Sequence, residues 1–239
     1  MGSIYNTDSR VSDQLIVHLD ATNTKSYPGS GTVWKDLSGN NYDFTLSSSG
    51  VYNSTGVKHM AFQGSIDIAS HSSGDIPISQ TNGVTYVVAT RPKSGGQTYK
   101  TLTRGTATDH HVIITNGIDI GSWAVNDGNF MDSGINQSEL PSHANNDWIL
   151  MYFRWANGQG FRFSYNDKPS VIRGTVTNTA GQYNSGGFAH LGGYGYQNGG
   201  QPWGDISLFA VWETELTDAQ LTSMYMAYKT RFSLPGSGL

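Results

Sequence analysis

Apolar and polar residues alternate with a period of two in several short segments of this chain, and the pattern turns helical close to the C-terminal end. Beyond Gly204 the alternation puts Ile206, Leu208, Ala210 and Trp212 on one face of an extended segment and Phe209 and Val211 on the other. A strand that is apolar on both sides is expected to be covered on both, so it belongs in the middle of a packed structure. Thr217 and Gln220 then have the spacing of a capping box, in which each side chain accepts from the other's backbone amide. Leu221, Met224, Tyr225 and Tyr228 follow at i, i+3, i+4 and i+7. That is one apolar helical stripe, and the sheet the strand has just left is the surface it must cover.

Upstream, 15–19 reads as the first strand, buried at Leu15, Val17 and Leu19. Residues 22–41, rich in Gly, Ser, Asn and Thr, read as a long loop pinned by Tyr27, Pro28 and Trp34. Strands are expected over 43–46, 57–62 and 65–69, the last alternating Ile66 and Ile68 with polar residues. Val84, Tyr86 and Val88 fall on one face of a central strand with Val87 and Ala89 behind, and a strand over 98–103 is expected to return along it. Asn116-Gly117 between 111–115 and 118–124 is a strong hairpin signal. The longest apolar strand, 148–155, turns at Asn157-Gly158 into 161–165, where strict alternation predicts one face in the core and the other in solvent. Asn166-Asp167 then makes a tight turn toward Val171 and Ile172, and a further strand is expected over 188–191. Residues 1–14 read as a polar arm and 233–239 as a loose tail. The whole predicts an all-β fold: a two-sheet antiparallel β-sandwich with one C-terminal helix.

The closing stretch, with a glycine, an isoleucine, a strand ending in an aromatic, a turn, a leucine and a capped helix, resembles the end of a laminin-G-like, concanavalin A-like jelly roll. Leu15 to Ala21 (LIVHLDA), Ser26 to Gly29 and Trp34 to Asn40 resemble the opening of the same family. Met60 to Gly64, Trp148 to Trp155, Phe161 to Lys168 and His190 to Gly193 fall in the order of its core strands. The resemblance covers residues 15–232, as one jelly-roll domain. Many members occur in bacteriophage structural proteins, and the same sandwich carries lectins, glycosidases and lyases, so the resemblance implies a fold more than a function.

Composition narrows the classes. A chain of 239 residues can bury a full core, and 30 glycines with 13% charged residues suit short strands and a polar, weakly charged surface. A net charge of −4 with scattered Lys and Arg gives no basic stripe, so no nucleic-acid partner is expected. No apolar run approaches the ~20 residues that span a bilayer, and the first 14 residues show no apolar core of a secretion signal. The absence of cysteine removes disulfides and thiolate metal sites. These features suit a protein made in a host cytoplasm and assembled there.

Laminarinase-type glycosidases on this fold carry nucleophile and acid on one strand, close enough for retention. This chain has three glutamates, Glu139, Glu213 and Glu215, and the last two sit at the strand-to-helix turn with no aspartate between them. Alginate-lyase-like members need a cation beside a proton-moving Tyr or His. Tyr99, Arg104, His110, His111 and Arg154 are the available residues, and adjacent histidines in a strand point to opposite faces. The acidic residue that the laminin-G-like pattern places after the closing isoleucine is Ser207 here. Asp20, Asp36, Asp67 and Asp205 could contribute to a calcium site, but single aspartates more often cap amides. No catalytic residue, metal ligand or cofactor is assigned.

The strongest ligand-binding candidates are Tyr183, Tyr194, Tyr196, Asn198 and Trp203. The aromatics offer flat faces for sugar rings, and Asn198, with Gln197, offers paired donors and acceptors. The same residues would equally serve to cover a sandwich edge. The expectation is a non-enzymatic virion protein of a bacteriophage, a head decoration or tail appendage on the virion surface. Its partners would be other virion proteins or copies of itself, with loops available to host or environmental glycans. A polysaccharide hydrolase or lyase and a free-standing lectin are the alternatives.

Overall fold

The computed structural model describes residues 14–48, 51–62, 69–71, 76, 83–92, 99–103, 110–114, 119–125, 129–131, 135–136, 147–155, 161–176, 190–191 and 204–234. In chain order the strands are β1 (Leu15–Asp20), β2 (Val33–Trp34), β3 (Phe44–Leu46), β4 (Tyr52–Asn53), β5 (His59–Phe62), β6 (Ala69–His71), β7 (Val84–Pro92), β8 (Tyr99–Thr103) and β9 (His110–Ile114). They continue as β10 (Asp119–Val125), β11 (Asn129–Met131), β12 (Ile135–Asn136), β13 (Ile149–Trp155), β14 (Phe161–Tyr165), β15 (Lys168–Val176), β16 (His190–Leu191) and β17 (Gly204–Trp212), followed by helix α1 (Asp218–Tyr228). Among the described residues, one sheet runs β15-β14-β13-β7-β17-β5-β4 with β1 also on β17, and the other runs β11-β10-β9-β8-β16-β6-β3-β2 with β12 on β10. The pairings are antiparallel, as in the expected sandwich.

Side chains from the two sheets meet in one core. Val84, Tyr86 and Val88 of β7 and Ile149, Met151 and Phe153 of β13 join Trp34, Phe44, Leu46 and Leu191 from the opposite sheet. The other face of the first sheet is equally apolar and carries a second core. There Val87, Ala89, Leu150, Tyr152, Leu208, Ala210 and Trp212 are covered by Leu216, Leu221, Met224, Tyr225, Tyr228, Phe232 and Leu234. The capping box forms as its spacing predicts: the Gln220 amide donates to Thr217 Oγ1 (3.3 Å) and the Thr217 amide to Gln220 Oε1 (2.8 Å). The four expected stripe residues are the buried residues of α1, and each fully buried Leu or Met contributes roughly 1.5–3 kcal/mol.

The centre of the design is β17, and here the expected facing needs correction. Ile206 points into the inter-sheet core, whereas Leu208, Ala210 and Trp212 point to the helix. The pairing with β7 slips between Ile206↔Thr90 and Leu208↔Ala89, so Ser207 is an extra residue that reverses the phase, a β-bulge. Its position has a cause. β17 pairs with β5 through Gly204–Ile206 and with β1 through Leu208–Trp212, so one edge changes partner at Ser207. The buried Ser207 satisfies the groups exposed at that junction, donating from Oγ to Lys58 O (2.6 Å) and accepting from the Ala21 amide (2.8 Å). A matching slip in β1 puts Leu15 in the helix-side core while Val17 and Leu19 stay between the sheets.

Four other expectations change. β8 does not return along β7; it pairs with β9 and β16 in the opposite sheet. The polar face of β14 is not in solvent, because Ser164 is buried and Arg162 is largely covered beside Glu215. Pro28 is exposed, and Tyr27 and Trp34 pin the long loop without it. Leu234 is docked in the helix-side core, its amide donating to Lys229 O (2.9 Å). The Asn116-Gly117 turn, Ile66, Ile68 and residues 1–13 and 235–239 lie outside the described residues, although β9 and β10 pair as a hairpin there requires.

Thr217→Ala should lower stability by about 1 kcal/mol through loss of the cap, and Tyr225→Ala by about 3 kcal/mol or more through the cavity it leaves. Urea unfolding followed by circular dichroism checks both. Equal, small losses would mean that α1 does not seal a core.

Candidate functional site

Among the described residues, ionisable side chains concentrate on the helix-side face where β1 and β5 meet along β17. With Ile206 turned inward, its neighbour Asp205 faces outward, directly across from Arg91 in the register with β7. Arg91 donates from Nε to Asp205 Oδ2 at 2.9 Å, and from Nη2 to the same oxygen. Asp205 is fully buried, and Thr90 Oγ1 donates to its carbonyl (2.9 Å). His59 Nδ1 donates to Val57 O (2.6 Å), and its Nε2 stands 3.4 Å from Asp205 Oδ2. The Arg91 guanidinium lies over the Trp148 ring, 5.3 Å from its centroid, a geometry that favours a cation.

A second arginine and carboxylate pair sits on the same face. Asp20 ends β1, and Arg231 from the turn after α1 donates through Nη2 to both of its oxygens (2.7 and 2.6 Å). Asp20 Oδ1 also accepts from Thr22 N and Thr22 Oγ1, at 2.9 Å each. Arg231 lies over Tyr228 and Phe232, 5.6 and 5.5 Å from their centroids. Phe232 in turn packs 6.3 Å from Trp148, so one aromatic row connects the two guanidiniums. His18, in β1 beside the loop, is buried, and its imidazole is held low, at about 4, first by burial and then by Arg231, against the opposing pull of Asp20 and Asp36. Its backbone amide donates to Asp36 Oδ1 (2.8 Å).

Two of the residues weighed for catalysis, Arg154 and Glu215, are engaged within the fold. Arg154 is buried beneath the start of α1, donating to Leu216 O (3.1 Å), Asp218 Oδ1 (2.6 Å) and Pro169 O. Glu215 pairs with Arg162, whose guanidinium is held below its usual range by burial and by the nearby Arg154 charge. Glu213 and Glu215 both lie beyond the end of β17, in the turn. Asp36 accepts from the amides of Ser38 (2.9 Å) and Tyr42 (3.1 Å), as expected of a loop aspartate. Tyr99, His110 and His111 fall on strands of the opposite sheet. No group of three or more metal-ligating side chains occurs among the described residues.

Tyr183, Tyr194, Tyr196, Asn198 and Trp203 lie outside the described residues, as do Arg104, Glu139 and Asp67. The chain leaves one sheet at Leu191 and enters the other at Gly204, one residue before Asp205. The arginines were not singled out from sequence. The available signal was Asp205 itself, a charge inside a strand apolar on both faces, which requires a buried partner.

No protein-family model matches the chain, and no curated protein matches it. Solved structures do resemble it. The binding domain of Paraclostridial Mosquitocidal Protein 1 superposes with a TM-score of 0.66 at 15% identity, over 91% of this chain and 53% of that one. The binding domain of Botulinum Neurotoxin DC in complex with SialylT gives 0.62 at 13% identity, over 91% and 52%. Trypanosoma rangeli sialidase in complex with sialic acid gives 0.63 at 10% identity, over 93% and 34%. The chain thus spans about half of the two binding domains and a third of the sialidase. At these identities the likeness is one of fold, and it places the chain among two-sheet β-sandwiches.

His18 should make stability pH-dependent. Above its unfolded value of 6.5 both states are neutral and it contributes nothing; as pH falls from 6.5 toward 4 only the unfolded chain takes up the proton, so stability is lost over that window, by about 3 kcal/mol. Urea midpoints across pH 4–7 should fall more steeply for the native chain than for His18→Gln; identical slopes would contradict the assignment. Arg91→Ala, which takes the guanidinium away from a buried carboxylate, should cost about 3 kcal/mol, and Asp205→Ala less, because Arg91 is 28% exposed along its side chain and can rehydrate. The same titrations test that order.

Proposed function

We propose that this chain is a non-enzymatic recognition module that adheres to glycans, and that it serves on the surface of a bacteriophage virion as a head decoration or tail appendage. The observation that carries the non-catalytic part is the fate of the buried carboxylates. Asp20 and Asp205 are each buried and gripped by an arginine rather than held open to a ligand. Glycoside hydrolysis of the usual kind needs two carboxyl groups on either side of the bond. Glycan adhesion is supported by the shared sandwich, since two structures of that shape carry SialylT or sialic acid in their names. The virion setting is supported by the laminin-G-like opening and closing segments. Assembly in a host cytoplasm, next to other virion proteins or copies of the chain, belongs to the same reading.

Incubation with sialyllactose, laminarin and alginate should give binding on a glycan array and neither free sialic acid, new reducing ends nor unsaturated products. Tyr194→Ala and Trp203→Ala should lose that binding together. Turnover of any of the three would overturn the non-enzymatic reading, and absence of the protein from purified particles of the phage that encodes it would overturn the virion reading.

A further inference from the structure

The two arginines of the helix-side face have a use beyond closing the sheet. Each guanidinium is fixed from two sides. An aromatic ring lies against its face, Trp148 for Arg91 and Tyr228 with Phe232 for Arg231. A buried carboxylate grips one edge: Asp205 takes Nε and Nη2 of Arg91, and Asp20 takes Nη2 of Arg231. Nη1 of both residues is left without a partner among the described residues, and the side chains are 28% and 32% exposed. A guanidinium so held offers its remaining N–H donors without the rotamer freedom that a surface arginine must give up on binding. These donors match the planar oxygens of a carboxylate.

We propose that Arg91 and Arg231 form a recognition surface for a carboxylate-bearing saccharide, an inference that rests on the glycan reading above and names its ligand class. The charge on each arginine is already offset by its aspartate, so the ligand is held by directed hydrogen bonds more than by net charge. Arg91 stands at the end of β7, opposite Asp205 in the register with β17. The preference for acidic over neutral sugars is the property this surface adds.

Titration calorimetry with 3′-sialyllactose and with lactose, on the full chain, tests it. The native protein should bind sialyllactose at least about 10-fold more tightly than lactose. Arg91→Lys and Arg231→Lys, which keep the charge and the aspartate's partner but lose the planar fork, should each narrow that ratio with the melting temperature nearly unchanged. Arg91→Gln combined with Asp205→Asn leaves no buried charge unpaired and should narrow it further. A purely structural role would weaken both sugars alike, leaving the ratio intact, and that result overturns the proposal. Equal binding of the two sugars by the native protein also overturns it while the glycan reading stands; binding of neither, with no other glycan bound on the array, removes both.

Discussion

One strand has to serve two cores. β17 lies between the inter-sheet core and the helix-side core, and it pairs with β7 along one edge while its other edge is divided between β5 and β1. A regular strand could not change partner along one edge without leaving carbonyls and amides unpaired at the join, where burial makes each such group costly. Ser207 meets this constraint by bulging. The extra residue supplies a hydroxyl for Lys58 and a carbonyl for Ala21, and it shifts the phase so that Ile206 fills one core and Leu208 the other.

The distribution of charge follows from that kink. Once Ile206 turns inward, Asp205 must lie on a face that the helix and its trailing turn cover, and a carboxylate there survives only with a partner. Arg91 supplies it from the neighbouring strand. Asp20, at the end of the strand that takes over from β5, meets the same need through Arg231, which ties residue 231 of the chain to its first strand. The aromatic side chains of the second core then serve twice, as apolar filling and as platforms for the two cations. A similar economy appears under the start of α1, where Arg154 and Arg162 are met by Asp218 and Glu215.

The periodic parts of this fold were legible in the sequence. Alternation assigns Val84, Tyr86 and Val88 to one core and Val87 and Ala89 to the other, as found, and the Thr217 to Gln220 spacing with its stripe defines α1 and its buried face. What alternation cannot carry is a change of phase. Leu208 to Trp212 is apolar without interruption, so nothing in its own pattern shows on which face it begins, and the bulge hides in the polar Ser207. Partner choice was equally hidden: neighbouring strands in sequence usually pair, yet β8 crosses to the other sheet. Arg162 and Ser164 alternate with apolar residues as a solvated face would, but Arg162 is paired with Glu215 and Ser164 is buried. The arginines of the candidate site were legible only by asking who neutralises Asp205.

Native-state hydrogen exchange tests most directly whether β17 is the member on which both cores depend. The amides of Phe209, Ala210 and Val211 should exchange only through global unfolding, with an opening free energy equal to that from denaturant titration. Their release at a lower free energy, while the amides between β7 and β13 stay protected, would contradict the account.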